Sequence, residues 1–129
     1  MNPILIDANI ILRYLLADHP QLSAQAKALF LRAEEGKVKL YCDEIVIAEV
    51  VWVLSSVYKT PKEKIVSQIE IILSQGRIVN PRKNLILESL TLHSISSLSY
   101  VDCWLLKLSE IEDLKLETFD QKLKKKILH

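Results

Sequence analysis

Ile4-Leu5-Ile6-Asp7-Ala8-Asn9 is the first stretch of the chain with a clear structural reading. Three apolar residues closed by an acid suit a short buried strand of a parallel sheet. Asp7 ends the run, and the residues from Asn9 to Leu16 read as a helix that Asp18-His19-Pro20 breaks. From Gln21 to Glu35 the apolar positions Leu22, Ala26, Leu29, Phe30 and Ala33 fall at helical spacing, with Gly36 as a ready C-cap. Val38 to Cys42 is a second strand and Ile78-Val79 a minimal third, while Leu114 to Phe119 alternates like a fourth. Thr60-Pro61-Lys62-Glu63 has the form of a capping box with proline at the first helical position, opening a helix to about Ser74. Asn80-Pro81 starts another, over Arg82 to His93, and Ser94 to Ser99 is a loop. Ser99 caps a further helix with Asp102 at its third position and one apolar stripe, Val101, Trp104, Leu105, Leu108 and Ile111. A short lysine-rich helix closes the chain. Strands alternating with helices imply an α/β fold, a three-layer α/β/α sandwich on a parallel sheet of four or five strands.

At 129 residues the chain reads as a single domain, 1–129, large enough to bury a real core. Half of it is apolar, which argues against intrinsic disorder. A formal net charge of +1 argues neither for nor against nucleic acid. The lysines are unevenly spread, with Lys122, Lys124, Lys125 and Lys126 crowded at the end, as a solvated helix face or a surface that steers a polyanion. Cys42 and Cys103 lie far apart in apolar contexts and read as reduced core thiols. His19, His93 and His129 show no metal-ligand spacing. Asp7 and Arg13 interrupt the N-terminal apolar run, so it is neither signal peptide nor membrane span, and a cytoplasmic location is expected.

Ile45 to Leu54 is apolar at every position but Glu49, behind Asp43 as N-cap and Glu44 in the first turn. A helix apolar on nearly all sides is expected to be buried. Glu49 then either snorkels to an edge or sits where a basic partner or a metal ion compensates it. Asp7 and Asp120 each follow a strand and so project at the carboxyl edge of the sheet, where ligands of open parallel sheets bind. Asp102 lies in the first turn of its helix. Taken singly, Asp7 and Asp120 read equally as helix caps and Asp102 as the acidic end of a capping box. Taken together, the four acids are expected to share one pocket. Two like charges about 4 Å apart repel by about 4 kcal/mol at an effective dielectric of 20. Such a cluster therefore holds protons or a cation. Oxygen donors without histidine or thiolate favour Mg2+ or Mn2+, which suits phosphodiester hydrolysis.

Ile6-Asp7-Ala8-Asn9 with Arg13, Ala48-Glu49-Val50-Val51-Trp52-Val53-Leu54, Tyr100-Val101-Asp102 and Thr118-Phe119-Asp120 resemble, in order, the successive motifs of PIN-domain ribonucleases. The similarity runs over nearly the whole chain and is greatest to VapC-like toxins of toxin–antitoxin pairs. It implies a PIN-like sandwich, a magnesium- or manganese-dependent endoribonuclease leaving 5′-phosphate and 3′-hydroxyl ends, a homodimer, and a cognate antitoxin protein as partner. By motif, Asp7, Glu49, Asp102 and Asp120 match the catalytic and metal-binding acids. Asn9 matches a polar support of the first aspartate, and Thr118 a hydroxyl supporting the last. Arg13 and Lys122 are candidate RNA contacts, with solvated or salt-bridged roles as the alternative. The chain departs from the pattern at Gln121 and Lys122, where some relatives carry a further acid, so three or four acids and one ion or two remain open. It also stops soon after the last helix, so a final edge strand is expected to be short or missing.

Two other functions fit parts of this pattern. A magnesium-dependent phosphatase or phosphoacceptor domain also uses an acidic pocket, but Asp7-Ala8-Asn9 lacks a second aspartate and the chain has only two glycines, with no phosphate loop. A catalytically degenerate domain that only binds RNA or protein is opposed by the intact set of acids. Exposed apolar helix surface around Leu22, Leu29 and Tyr58 would serve a dimer or antitoxin interface, core packing being the alternative.

Overall fold

The computed structural model describes residues 2–127; Met1, Leu128 and His129, and with them the reading of His129, lie outside the described residues. The elements run β1 (Ile4–Ile6), α1 (Ala8–Leu16), α2 (Pro20–Glu34), β2 (Leu40–Cys42), α3 (Glu44–Ser56), α4 (Lys62–Leu73), β3 (Ile78–Val79), α5 (Lys83–Ile95), α6 (Tyr100–Ile111) and α7 (Gln121–Lys126). This is a helix-rich α/β protein of the three-layer α/β/α class. No helix among the described residues is long and apolar enough to cross a membrane. The chain divides into two compact units, 1–83 and 84–129.

The first unit holds the sheet, in the order β1-β2-β3 and parallel throughout. Ile6 pairs with Cys42 and Tyr41 with Val79, so Asp7, Asp43 and Asn80 follow their strands at one edge. The sheet has three strands among the described residues rather than the expected four or five. The middle strand and β3 have the buried character expected of a parallel strand, with Leu40, Cys42 and Ile78 fully buried, whereas Leu5 on β1 is 69% exposed.

Local chemistry fixes the helix ends. Asp7 and Asp43 cap α1 and α3 as their sequence positions suggest. α2 starts with Pro20 at its first position behind His19, whose Nδ1 accepts from the Leu22 N–H at 3.1 Å. It ends in a Schellman motif: Gly36 at φ +80° donates to Ala33, and Lys37 to Arg32. The box expected at Thr60 does not form. Pro61 itself is the cap, with no side-chain hydrogen bond, and the Thr60 N–H, which Glu63 would have to reach in such a box, donates to the Leu54 carbonyl in the turn after α3.

The second unit is built on α5, α6 and α7. Leu98, Cys103, Leu106 and Leu123 form its core, with Leu92, Leu116 and Ile127 against them. The expected apolar stripe of α6 is largely outward, with Val101, Leu105 and Ile111 exposed; the buried face is Tyr100, Cys103 and Leu106. Leu114–Phe119 is not a strand. Leu116 packs inward, while Lys115 and Glu117 pair with each other in solvent and Phe119 is 97% exposed. Alternation alone supplies no ladder partner, and a strand needs one.

Candidate active site

Three of the four acids that resemble catalytic residues, Asp7, Asp102 and Asp120, stand at helix N-termini with capping hydrogen bonds. Asp7 terminates β1 and its Oδ1 accepts the Ile10 N–H at 3.1 Å, an N-cap on α1. Only one carboxylate oxygen is committed, so Oδ2 stays available at the edge of the sheet. Asp43, read from sequence only as a cap, holds the matching place after β2, and its Oδ1 accepts the Ile45 N–H at 2.9 Å. The two aspartates line one cleft of about 530 Å³ whose walls include Ile4, Ile6, Ile10 and Ile45.

Asn80 completes the edge and was invisible in the sequence except as a helix start. It is buried, donates to the Cys42 carbonyl at 2.8 Å and to Glu44 Oε1 at 2.9 Å, and accepts from the Arg82 N–H at 2.6 Å. Both amide donors are thus used to join the end of β2 and the first turn of α3 to the turn after β3.

Glu49 overturns the expectation of a buried helix. Ile45, Glu49, Trp52 and Ser56 form one exposed stripe of α3, with Ile45 at 74% and Trp52 at 63%; Ile47, Val50, Val51 and Leu54 are the buried face. Glu49 in solvent needs no compensating cation, and its candidacy rests on its motif. Asn9 is exposed in the first turn of α1. Arg13 is salt-bridged, the alternative role its sequence position allowed: it pairs with Asp18 at 2.6 Å and donates to the Tyr58 hydroxyl at 3.2 Å. The Tyr58 hydrogen bond is the main reason that its guanidinium is held above the ordinary arginine value.

In the second unit, Asp102 is half-buried and its N–H donates to Ser99 Oγ at 3.1 Å, the expected cap. Asp120 Oδ1 accepts the Leu123 N–H at 2.9 Å, capping α7, and the Asp120 N–H donates to Thr118 Oγ1 at 3.1 Å. Thr118 thus touches Asp120 through the Asp120 backbone N–H. Leu123, one turn past Asp120, shares a core with Cys103, the neighbour of Asp102. Lys122 is exposed, and Lys124, Lys125 and Lys126 complete the last turn of α7, where cations offset the helix dipole.

Cys42 and Cys103 are fully buried thiols that are not in a disulfide, as expected of core thiols. Within each unit, no three His, Cys, Asp or Glu side chains among the described residues gather as a ready-made metal site. The donor type in each unit nevertheless fits a hard divalent cation: Asp7 and Glu49 in the first and Asp102 and Asp120 in the second offer carboxylate oxygens, and the caps at Asp7 and Asp120 consume one oxygen each.

The pattern of the PIN domain family matches residues 4–127. The chain belongs to the PIN domain family. PIN domains are generally metal-dependent nucleases and typically bind divalent ions, and the match spans both units of this one. No curated protein and no solved structure matched the chain.

Proposed function

We propose that this PIN domain is a magnesium- or manganese-dependent endoribonuclease and the VapC-like toxin of a toxin–antitoxin pair. The observation that carries the reading is the family match over residues 4–127 in a chain that keeps acids at all four motif positions, Asp7, Glu49, Asp102 and Asp120. The same span supports treating both units as one nuclease domain. A phosphatase has no support from that match.

A divalent ion, for which these acids are the candidate ligands, would supply Lewis-acid stabilisation of the phosphate and an activated water. The chain's own work is to hold the ligands ready. Helix N-termini lock Asp7 and Asp120 in place through their caps, and Thr118 turns Asp120. Little side-chain entropy is then left to lose when an ion arrives. Lys122 and the lysines beside it bind RNA by releasing counterions. The exposed apolar side chains Leu22, Ile45, Trp52 and Tyr58 offer surface for a homodimer or for the antitoxin.

The test is cleavage of labelled single-stranded RNA by the purified chain. Cleavage with Mg2+ or Mn2+ that stops with EDTA and leaves 5′-phosphate ends is expected. Metal-independent cleavage, or binding of RNA with no cleavage in either metal, overturns the proposal, and the second result favours a domain that only binds.

A further inference from the structure

We infer that Arg13 is a positioning residue, which ties the far end of α3 to α1 and thereby fixes the placement of Asp7 relative to Glu49. This rests on the nuclease reading for its consequence, though not for its geometry.

α1 and α3 leave the same edge of the sheet, one behind Asp7 and the other behind Asp43, and they pack on each other. Their near ends are anchored by adjacent paired strands. Their far ends are joined by no strand, and there Arg13 makes the connection. Nη1 reaches Asp18 Oδ1, just beyond the end of α1, at 2.6 Å, and Nη2 reaches the Tyr58 hydroxyl, beyond the end of α3, at 3.2 Å. A planar fork can serve both at fixed angles, and a lysine ammonium cannot.

The Tyr58 end of the tie is not slack. The Tyr58 N–H donates to Val53 at 3.3 Å, the Thr60 N–H to Leu54 at 2.9 Å, and Lys59 between them takes φ +53°. A pull on Tyr58 is therefore a pull on the last turn of α3. The Arg13 end is equally fixed, since Ala17 at φ 51° returns its N–H to the Arg13 carbonyl and so presents Asp18 to the guanidinium. The Arg13 side chain is only 16% exposed, and its Nε–H is buried without a partner among the described residues. A group held like this is poorly placed to meet an RNA phosphate, which would have to displace Asp18.

The experiment compares wild type with Arg13→Lys, Tyr58→Phe and the double variant. Mn2+ affinity is read by electron paramagnetic resonance, cleavage of single-stranded RNA as separate kcat and KM, and folding as Tm. Support groups behind metal ligands typically govern about 10–100-fold in affinity or activity. The expected result is a drop of about tenfold in Mn2+ affinity and in kcat for Arg13→Lys, and a smaller drop for Tyr58→Phe. KM and its salt dependence stay unchanged, and the double variant is no worse than Arg13→Lys. Arg13→Lys raising KM and flattening the salt dependence by about one unit of slope, with Tyr58→Phe silent, makes Arg13 a phosphate contact and overturns the inference. A lowered Tm with Mn2+ affinity and kcat intact overturns it as well. Should Arg13→Lys not fold, Tyr58→Phe decides, because it removes one exposed hydroxyl. Wild type that binds Mn2+ but cuts no RNA defeats the nuclease reading and leaves the Mn2+ comparison to judge Arg13; wild type that does neither defeats both.

Discussion

At the scale of single residues, the acids have two employments, and the difference between aspartate and asparagine separates them. Asparagine caps a helix about as well as aspartate, whereas alanine loses about 1 kcal/mol. Asp120→Asn should thus unfold in urea as wild type does, and Asp120→Ala about 1 kcal/mol earlier; equal losses would mean that charge rather than the Leu123 hydrogen bond matters there. Asn80 should be the more costly position. Asn80→Ala leaves the Cys42 carbonyl and the Arg82 N–H without their buried partner, a loss of about 2 kcal/mol in urea unfolding. A loss below about 0.5 kcal/mol would show that water replaces the amide. Burial, with the charge of Asp43 adding to it, pushes the Cys42 thiol up to about 12. In the unfolded chain it titrates near about 8.5. Its folded value is the raised one, so its contribution is intact below the unfolded value and is lost as pH rises towards 12. Wild type should lose about 1.4 kcal/mol per pH unit across that window beyond what Cys42→Ala loses, and parallel stability curves would contradict this.

At the scale of elements, what was legible in the sequence is what depends on neighbours along the chain. The caps at Asp7, Asp43 and Ser99 and the glycine after α2 follow from local hydrogen bonding, and the helices begin and end within a few residues of expectation. Gly36→Ala should cost about 1 kcal/mol because φ is +80°, although a Cβ there meets nothing within 4 Å; Gly76→Ala, equally open, should be neutral or slightly stabilising. Thermal unfolding of the pair checks this, and equal costs would contradict it. The failures are long-range. A helix as uniformly apolar as α3 carries no periodic signal for which side its neighbours cover, so the exposure of Glu49 could not be read. Leu114–Phe119 has the alternation of a strand, yet alternation does not name a ladder partner. Asn80 spans from β3 to residues far earlier in the chain, and an Asn-Pro pair reveals only the local turn. Arg13 belongs with these, since its partner Tyr58 is distant in sequence.

At the scale of the whole molecule, the family match and the four motif acids carry the functional reading, while burial of Glu49 does not. A metal-dependent nuclease requires its acids for chemistry rather than for folding. Asp7 allows the sharpest separation, because asparagine keeps the cap to Ile10 but weakens a hard-cation ligand. The decisive measurement is cleavage of single-stranded RNA by Asp7→Asn in saturating Mg2+ or Mn2+, beside its Tm. A fall in cleavage of about a hundredfold or more with Tm within a few degrees of wild type is the predicted result. Cleavage at the wild-type rate by the folded variant would contradict the assignment.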